Sequence, residues 1–139
     1  MRKITHIVVH CSATKADLDI GAAAIRRWHK DKGWADIGYH FVIRRNGQLE
    51  LGRDVELAVA HVAGHNATTI GICLVGGLDE DGQPDNNYTT AQMDQLRKLV
   101  ADLKKTHKSA IVQGHRDFPG VAKDCPCFNV RGWALANGL

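Results

Sequence analysis

Residues 69–77 read TIGICLVGG, and they decide the fold. The stretch carries no charge and has one polar side chain, Thr69, at its start. A half-buried strand alternates apolar and polar residues, whereas a strand covered on both faces reads as a continuous apolar run. The first expectation is therefore a buried strand near the centre of a sheet, with helices packed against it.

The segments on either side fit that frame. Upstream, ITHIVVH (residues 4–10) is short and rich in β-branched residues, as a strand is. In residues 20–32, Ile25 and Trp28 share one helical face, and Arg26, Arg27 and Lys30 lie largely on the other. Gly33 is a natural stop. In residues 39–52, YHFVIRRNGQLELG, two apolar stretches flank Asn46-Gly47, the strongest short-range hairpin signal. Downstream, LDEDGQPDNNY (residues 78–88) is polar and turn-rich and shows no period. Thr89 and Gln92 have capping-box spacing, and Met93, Leu96, Val100 and Leu103 then recur at helical steps. Residues 109–115, SAIVQGH, predict another strand, and residues 129–139 a short last helix. The order β-α-β-β-β-α-β-α predicts an α/β fold, one mixed sheet with helices against it, without repeats or linkers.

A chain of 139 residues is long enough to bury roughly two thirds of its unfolded surface. Eighteen basic and fifteen acidic residues leave a net charge of +3, spread without a Lys/Arg block, so no nucleic-acid partner is expected. No segment approaches the eighteen or so apolar residues of a membrane helix, so no membrane partner is expected either. The N-terminal apolar run is broken by His6 and His10 and reads as a strand, not as an export signal. The four cysteines are too few and too unevenly placed for a disulfide framework, and free thiols in a reducing cytosol are expected. A Cys125–Cys127 bridge would close a strained ring, because an extended two-residue step of about 6.6 Å is near the upper limit for disulfide-bonded Cα atoms.

Residues 114–128, GHRDFPGVAKDCPCF, concentrate a histidine, a lysine and two cysteines in one loop. A catalytic zinc takes three ligands from His, Cys or carboxylate and leaves a fourth position open. His10 and His115 each close a predicted strand, where rigid backbone meets a cleft, and Cys125 lies on a loop able to fold back beneath His115. These three are the candidate ligands. His6 and His10 stand roughly 13 Å apart along a strand and do not share an ion. Gly64 weakens the i, i+4 pair His61 and His65, and His29 and His107 fall near predicted helix C-termini, where a structural role is favoured. Spacing alone leaves the structural reading of each histidine open.

Five stretches, VVHCSAT, DIGYHFVIRRNG, GHNATTIGICLVGG, TTAQMDQLRKLV and KDCPCFNVRGW, together resemble the zinc-dependent N-acetylmuramoyl-L-alanine amidases, in particular the amidase-type lysozymes of phages and prophages. The resemblance runs in order from about residue 4 to residue 134, and no single motif carries it. It implies one catalytic domain over residues 1–139, with a mixed sheet of five or six strands and a zinc cleft on one face. It places the family's ligands on His10, His115 and Cys125 with one zinc per chain, its catalytic tyrosine on Tyr39 and its catalytic lysine on Lys123. The Lys-x-Cys-Pro order selects Cys125 over Cys127, an extra thiol relative to the phage pattern. The span from His115 to Cys125 is about two residues longer than in the phage enzymes.

The reaction so implied is hydrolysis, by a zinc-activated water, of the amide joining N-acetylmuramic acid to the L-alanine of the peptidoglycan stem peptide. Zinc and the Lys123 ammonium would face the developing oxyanion, and the Tyr39 phenol would donate to the water or the carbonyl. His40 alternates to the opposite face from Tyr39 and is expected to be structural; His61 is expected on the cleft wall as a substrate contact. The expected actor is a monomeric endolysin, made in the host cytoplasm without a signal peptide and reaching the wall after holin-type release. The alternatives are a non-catalytic peptidoglycan-binding module of the same fold, disfavoured by the complete ligand set, and a regulator of phage RNA polymerase, disfavoured by the three residues before Ile4.

Overall fold

A computed structural model describes residues 2–139. In chain order the elements are β1 (His6–Cys11), β2 (Thr14–Lys15), α1 (Ala22–Asp31), β3 (Phe41–Ile43), β4 (Leu49–Leu51), β5 (Thr69–Leu74), β6 (Gly77–Leu78), α2 (Thr90–Thr106), β7 (Ile111–Gly114) and α3 (Val130–Ala136). The main sheet has five strands in the order β4-β3-β5-β1-β7. The apolar run that set the fold forms the middle strand, and all six residues of β5 are buried. β5 runs parallel to β1 and β3, and β1 runs parallel to β7; only the β3–β4 hairpin is antiparallel. The sheet is mixed, as expected.

Side-chain alternation splits the core into two layers. Ile7 and Val9 of β1, Ile43 of β3 and Ile72 and Leu74 of β5 pack with Leu96, Leu99 and Val100 of α2 and with Val130 and Ala134 of α3. On the opposite face, Val42, Cys73 and Val75 pack against Ala22 and Ile25 of α1. His10 is paired with Cys73 across the β1–β5 ladder and so belongs to the α1 face. It is the one imidazole that the parity of β1 sends into that layer near the C-terminal end of the strand.

Local signals account for the element ends. Thr89 and Gln92 form the capping box at the start of α2: Gln92 N–H donates to Thr89 Oγ1 at 3.0 Å, and Thr89 N–H donates to Gln92 Oε1 at 3.0 Å. Gln92 is wholly buried, and its amide also donates to the carbonyls of Ile43 (3.2 Å) and Val75 (2.8 Å), tying the cap to two strand ends. Gln92→Met keeps the volume but strands those acceptors, so a loss of roughly 2–3 kcal/mol in urea unfolding is expected. A variant as stable as the parent would show that the tie contributes nothing.

Gly33 follows α1 with φ +94 and lets Trp34 N–H return to the His29 carbonyl at 3.1 Å. The helix starts at Ala22, not at residue 20, because Glu50 Oε1 accepts from Ala22 N–H at 2.8 Å and fixes the first turn there. A further departure is the small ladder β2–β6: residues 77–78, the end of the apolar run and the start of the turn-rich loop, pair in parallel with residues 14–15. The run 69–77 is accordingly cut at Leu74, where the chain switches partner.

Candidate metal centre

β1 carries His10 into the α1 face of the sheet, where it is 1% exposed. Next to β1, β7 ends at Gly114, so His115, the following residue, stands beside it; the two imidazole centroids are 4.6 Å apart. The chain then runs out and returns: Arg116 N–H donates to the Cys125 carbonyl at 2.9 Å, and the Tyr88 hydroxyl donates to the Pro126 carbonyl at 2.7 Å. These bonds bring Cys125 Sγ to 4.0 Å from His10 Nδ1. One ligand atom each from His10, His115 and Cys125 lies within 4.8 Å of the others, the one such group of three among the described residues. In a tetrahedral zinc site an N···S pair spans about 3.5 Å, so small side-chain rotations close the set.

The electrostatics suit a cation. Burial first, then the neighbouring His61, His115 and Lys123, hold His10 well below the ordinary imidazole range. Burial and then Lys123 lower His115. Both rings are therefore neutral at pH 7, the form that ligates metal. The hydrogen bond between the Cys11 and Cys125 thiols favours the proton on Cys125: it lowers Cys11 to about 6 and, with burial, raises Cys125. A divalent cation beside Cys125 reverses that allocation, since a coordinating thiol loses its proton outright. The Cys11 amide already donates to Cys125 Sγ at 3.2 Å, which favours negative charge there.

The three residues open on a cleft of about 320 Å³ that also exposes Tyr39, Lys123 and His61. The Tyr39 ring lies 5.1 Å from that of His10; burial, then the nearby cysteines, push its phenol up, so it stays a proton donor. Lys123 is exposed at the rim. His61, expected as a substrate contact, lines the wall, but both its ring nitrogens are engaged within the protein: Nδ1 lies 2.8 Å from His10 Nε2, and Nε2 lies 2.6 Å from Thr69 Oγ1. His40 turns away from the cleft; its Nδ1 accepts from Gly71 N–H at 3.0 Å and its Nε2 donates to the Leu57 carbonyl at 2.7 Å. All four cysteines are free thiols, and Cys127 Sγ donates to the Gly77 carbonyl at 3.4 Å.

Two residues enter the site that sequence reasoning left outside it. Cys11 supplies the amide just described. His29, read as a helix-end histidine, is a cleft residue: its Nδ1 accepts from Gly38 N–H at 2.8 Å, and its ring packs against Trp34 and Tyr39. The available signal was the i, i+3, i+4, i+7 spacing of Ile25, Trp28, His29 and Lys32, a single helical face, all four of which line the cleft.

Comparisons with known proteins agree with this architecture. A family model described as N-acetylmuramoyl-L-alanine amidase matches residues 1–128. An endolysin of Klebsiella phage KP32 is 47% identical over 138 residues, covering 99% of this chain and 90% of that protein. An endolysin of Escherichia phage T7 is 44% identical over 133 residues, covering 96% and 87%. Among solved structures, the N-acetylmuramoyl-L-alanine amidase LysC from Clostridium intestinale URNW superposes with a TM-score of 0.82 at 27% identity, covering 99% of this chain and 85% of that one.

Proposed function

The chain belongs to the N-acetylmuramoyl-L-alanine amidase family, and we propose that His10, His115 and Cys125 hold the zinc ion with which it cleaves the bond between N-acetylmuramic acid and the L-alanine of the stem peptide. It is a peptidoglycan hydrolase of the phage endolysin type. The observation that carries the metal assignment is the convergence of two neutral imidazoles and one thiol within 4.8 Å at the floor of an open cleft. A bound zinc supplies Lewis-acid polarisation and a water acidic enough to act near neutral pH.

The protein's own groups do the rest. Two imidazoles and a thiolate from His10, His115 and Cys125 would leave a bound zinc with a net charge near +1. Lys123, on the rim of the same cleft, brings an ammonium to the oxyanion that develops on that oxygen. The Tyr39 phenol, held protonated, donates a hydrogen bond to the carbonyl or to the attacking water. The partner is the muropeptide of the wall, met by a monomer after release from the cytoplasm. No described helix is long and apolar enough to cross a membrane.

Digestion of purified peptidoglycan tests this reading. New amino termini on L-alanine, found by mass analysis of the released peptides and lost after treatment with a zinc chelator, are expected. Release of reducing sugar ends instead, or activity indifferent to the chelator, would contradict it.

A further inference from the structure

The hydrogen bonds around His61 fix proton positions that distances alone leave open. Thr69 Oγ1 has a single proton, and it donates it to the His65 carbonyl at 2.9 Å. Towards His61 Nε2, 2.6 Å away, that oxygen can therefore only accept, so the proton of His61 sits on Nε2. In the neutral ring Nδ1 is then an acceptor, and the donor it faces at 2.8 Å is His10 Nε2–H. With its proton on Nε2, His10 presents an unprotonated Nδ1, the atom that faces Cys125 Sγ. The direction of every bond follows from the hydroxyl at the far end.

The same ring is held in place by its surroundings. Asn66 Oδ1 accepts from the amides of His61 (3.1 Å) and Val62 (2.9 Å), which anchors the loop. The imidazole rests on the bare backbone of β5 at Gly71, where a Cβ would come within 2.8 Å of His61 Nδ1 and 3.0 Å of its Cγ. Thr69 and Gly71, both in β5, thus hold a ring whose Nδ1 faces a candidate ligand.

We propose that His61 is a positioning residue for the metal centre: through the relay from the His65 carbonyl by way of Thr69 and His61, it locks His10 in the Nε2–H tautomer and aims Nδ1 at the ion. The inference rests on the assignment of His10 as a ligand made above. It replaces the direct substrate contact expected of His61 with an indirect role, since neither ring nitrogen is free to meet a ligand.

Two measurements test it, one of them independent of metal. Long-range ¹H–¹⁵N NMR of the imidazoles in metal-free protein is expected to show His10 and His61 both as Nε2–H tautomers. In the second, zinc affinity is measured by competition with a chromophoric chelator. His61→Phe fills the space without an acceptor and should weaken zinc binding by about 10- to 100-fold, the usual effect of removing an outer hydrogen-bond partner. Gly71→Ala, which displaces the ring, should weaken it in the same direction, and His61→Gln, whose side-chain carbonyl can accept from His10, should recover most of the loss. An Nδ1–H tautomer for His10 in the unaltered protein would overturn the proposal even if the variants fail to fold. So would His61→Phe binding zinc as tightly as the parent, or His61→Gln binding no better than His61→Phe. Failure of the unaltered protein to bind zinc is a separate result and would refute the ligand assignment itself.

Discussion

Cys125→Ala is expected to abolish both stoichiometric zinc and amidase activity while leaving the fold intact. The thiolate is the one anionic donor of the three, and without it two imidazoles must retain a divalent ion against water and buffer. Cys127, two residues on, is outside the group of converging ligand atoms, and its sulfur donates to the Gly77 carbonyl. Cys127→Ala should accordingly keep zinc and activity, and the pair of variants separates the two thiols. The fold survives because the loop is also tied down by bonds that do not use the sulfur, Arg116 N–H to the Cys125 carbonyl and the Tyr88 hydroxyl to the Pro126 carbonyl. Metal analysis finding one zinc per chain in Cys125→Ala would remove this residue from the centre.

Lys123→Ala is expected to behave differently: zinc content unchanged, turnover down by at least about a hundredfold, the scale of one oxyanion donor. The side chain is exposed on the rim of the cleft and ligates nothing, so its removal costs no fold and no metal. Its charge matters when negative charge develops on the carbonyl oxygen. The loss should therefore fall in kcat more than in KM. Turnover close to that of the parent would show that the ammonium only lies near the cleft.

The frame of the molecule was legible because its strongest signals are local. An unbroken apolar run marked β5, Asn46-Gly47 marked the β3–β4 hairpin, and Thr89 with Gln92 marked the start of α2. The β2–β6 ladder was not legible, since two residues per strand carry no period to detect. Strand ends pointed to His10 and His115, and the returning loop to Cys125, because chain geometry limits where such side chains can meet. The roles of Cys11, His29 and His61 were hidden for the opposite reason. Each depends on a partner remote in the chain or brought round by a turn: the Cys125 sulfur for the Cys11 amide, Gly38 and Tyr39 for His29, and Thr69 and His10 for His61. Spacing could not show that both nitrogens of His61 are consumed inside the protein.

X-ray absorption at the zinc edge of the loaded protein tests the ligand set most directly. The account predicts one sulfur scatterer at about 2.3 Å and two imidazole nitrogens at about 2.0–2.1 Å, with the remaining position filled by a light atom. A first shell of nitrogen and oxygen alone, or one holding two sulfurs, would contradict it.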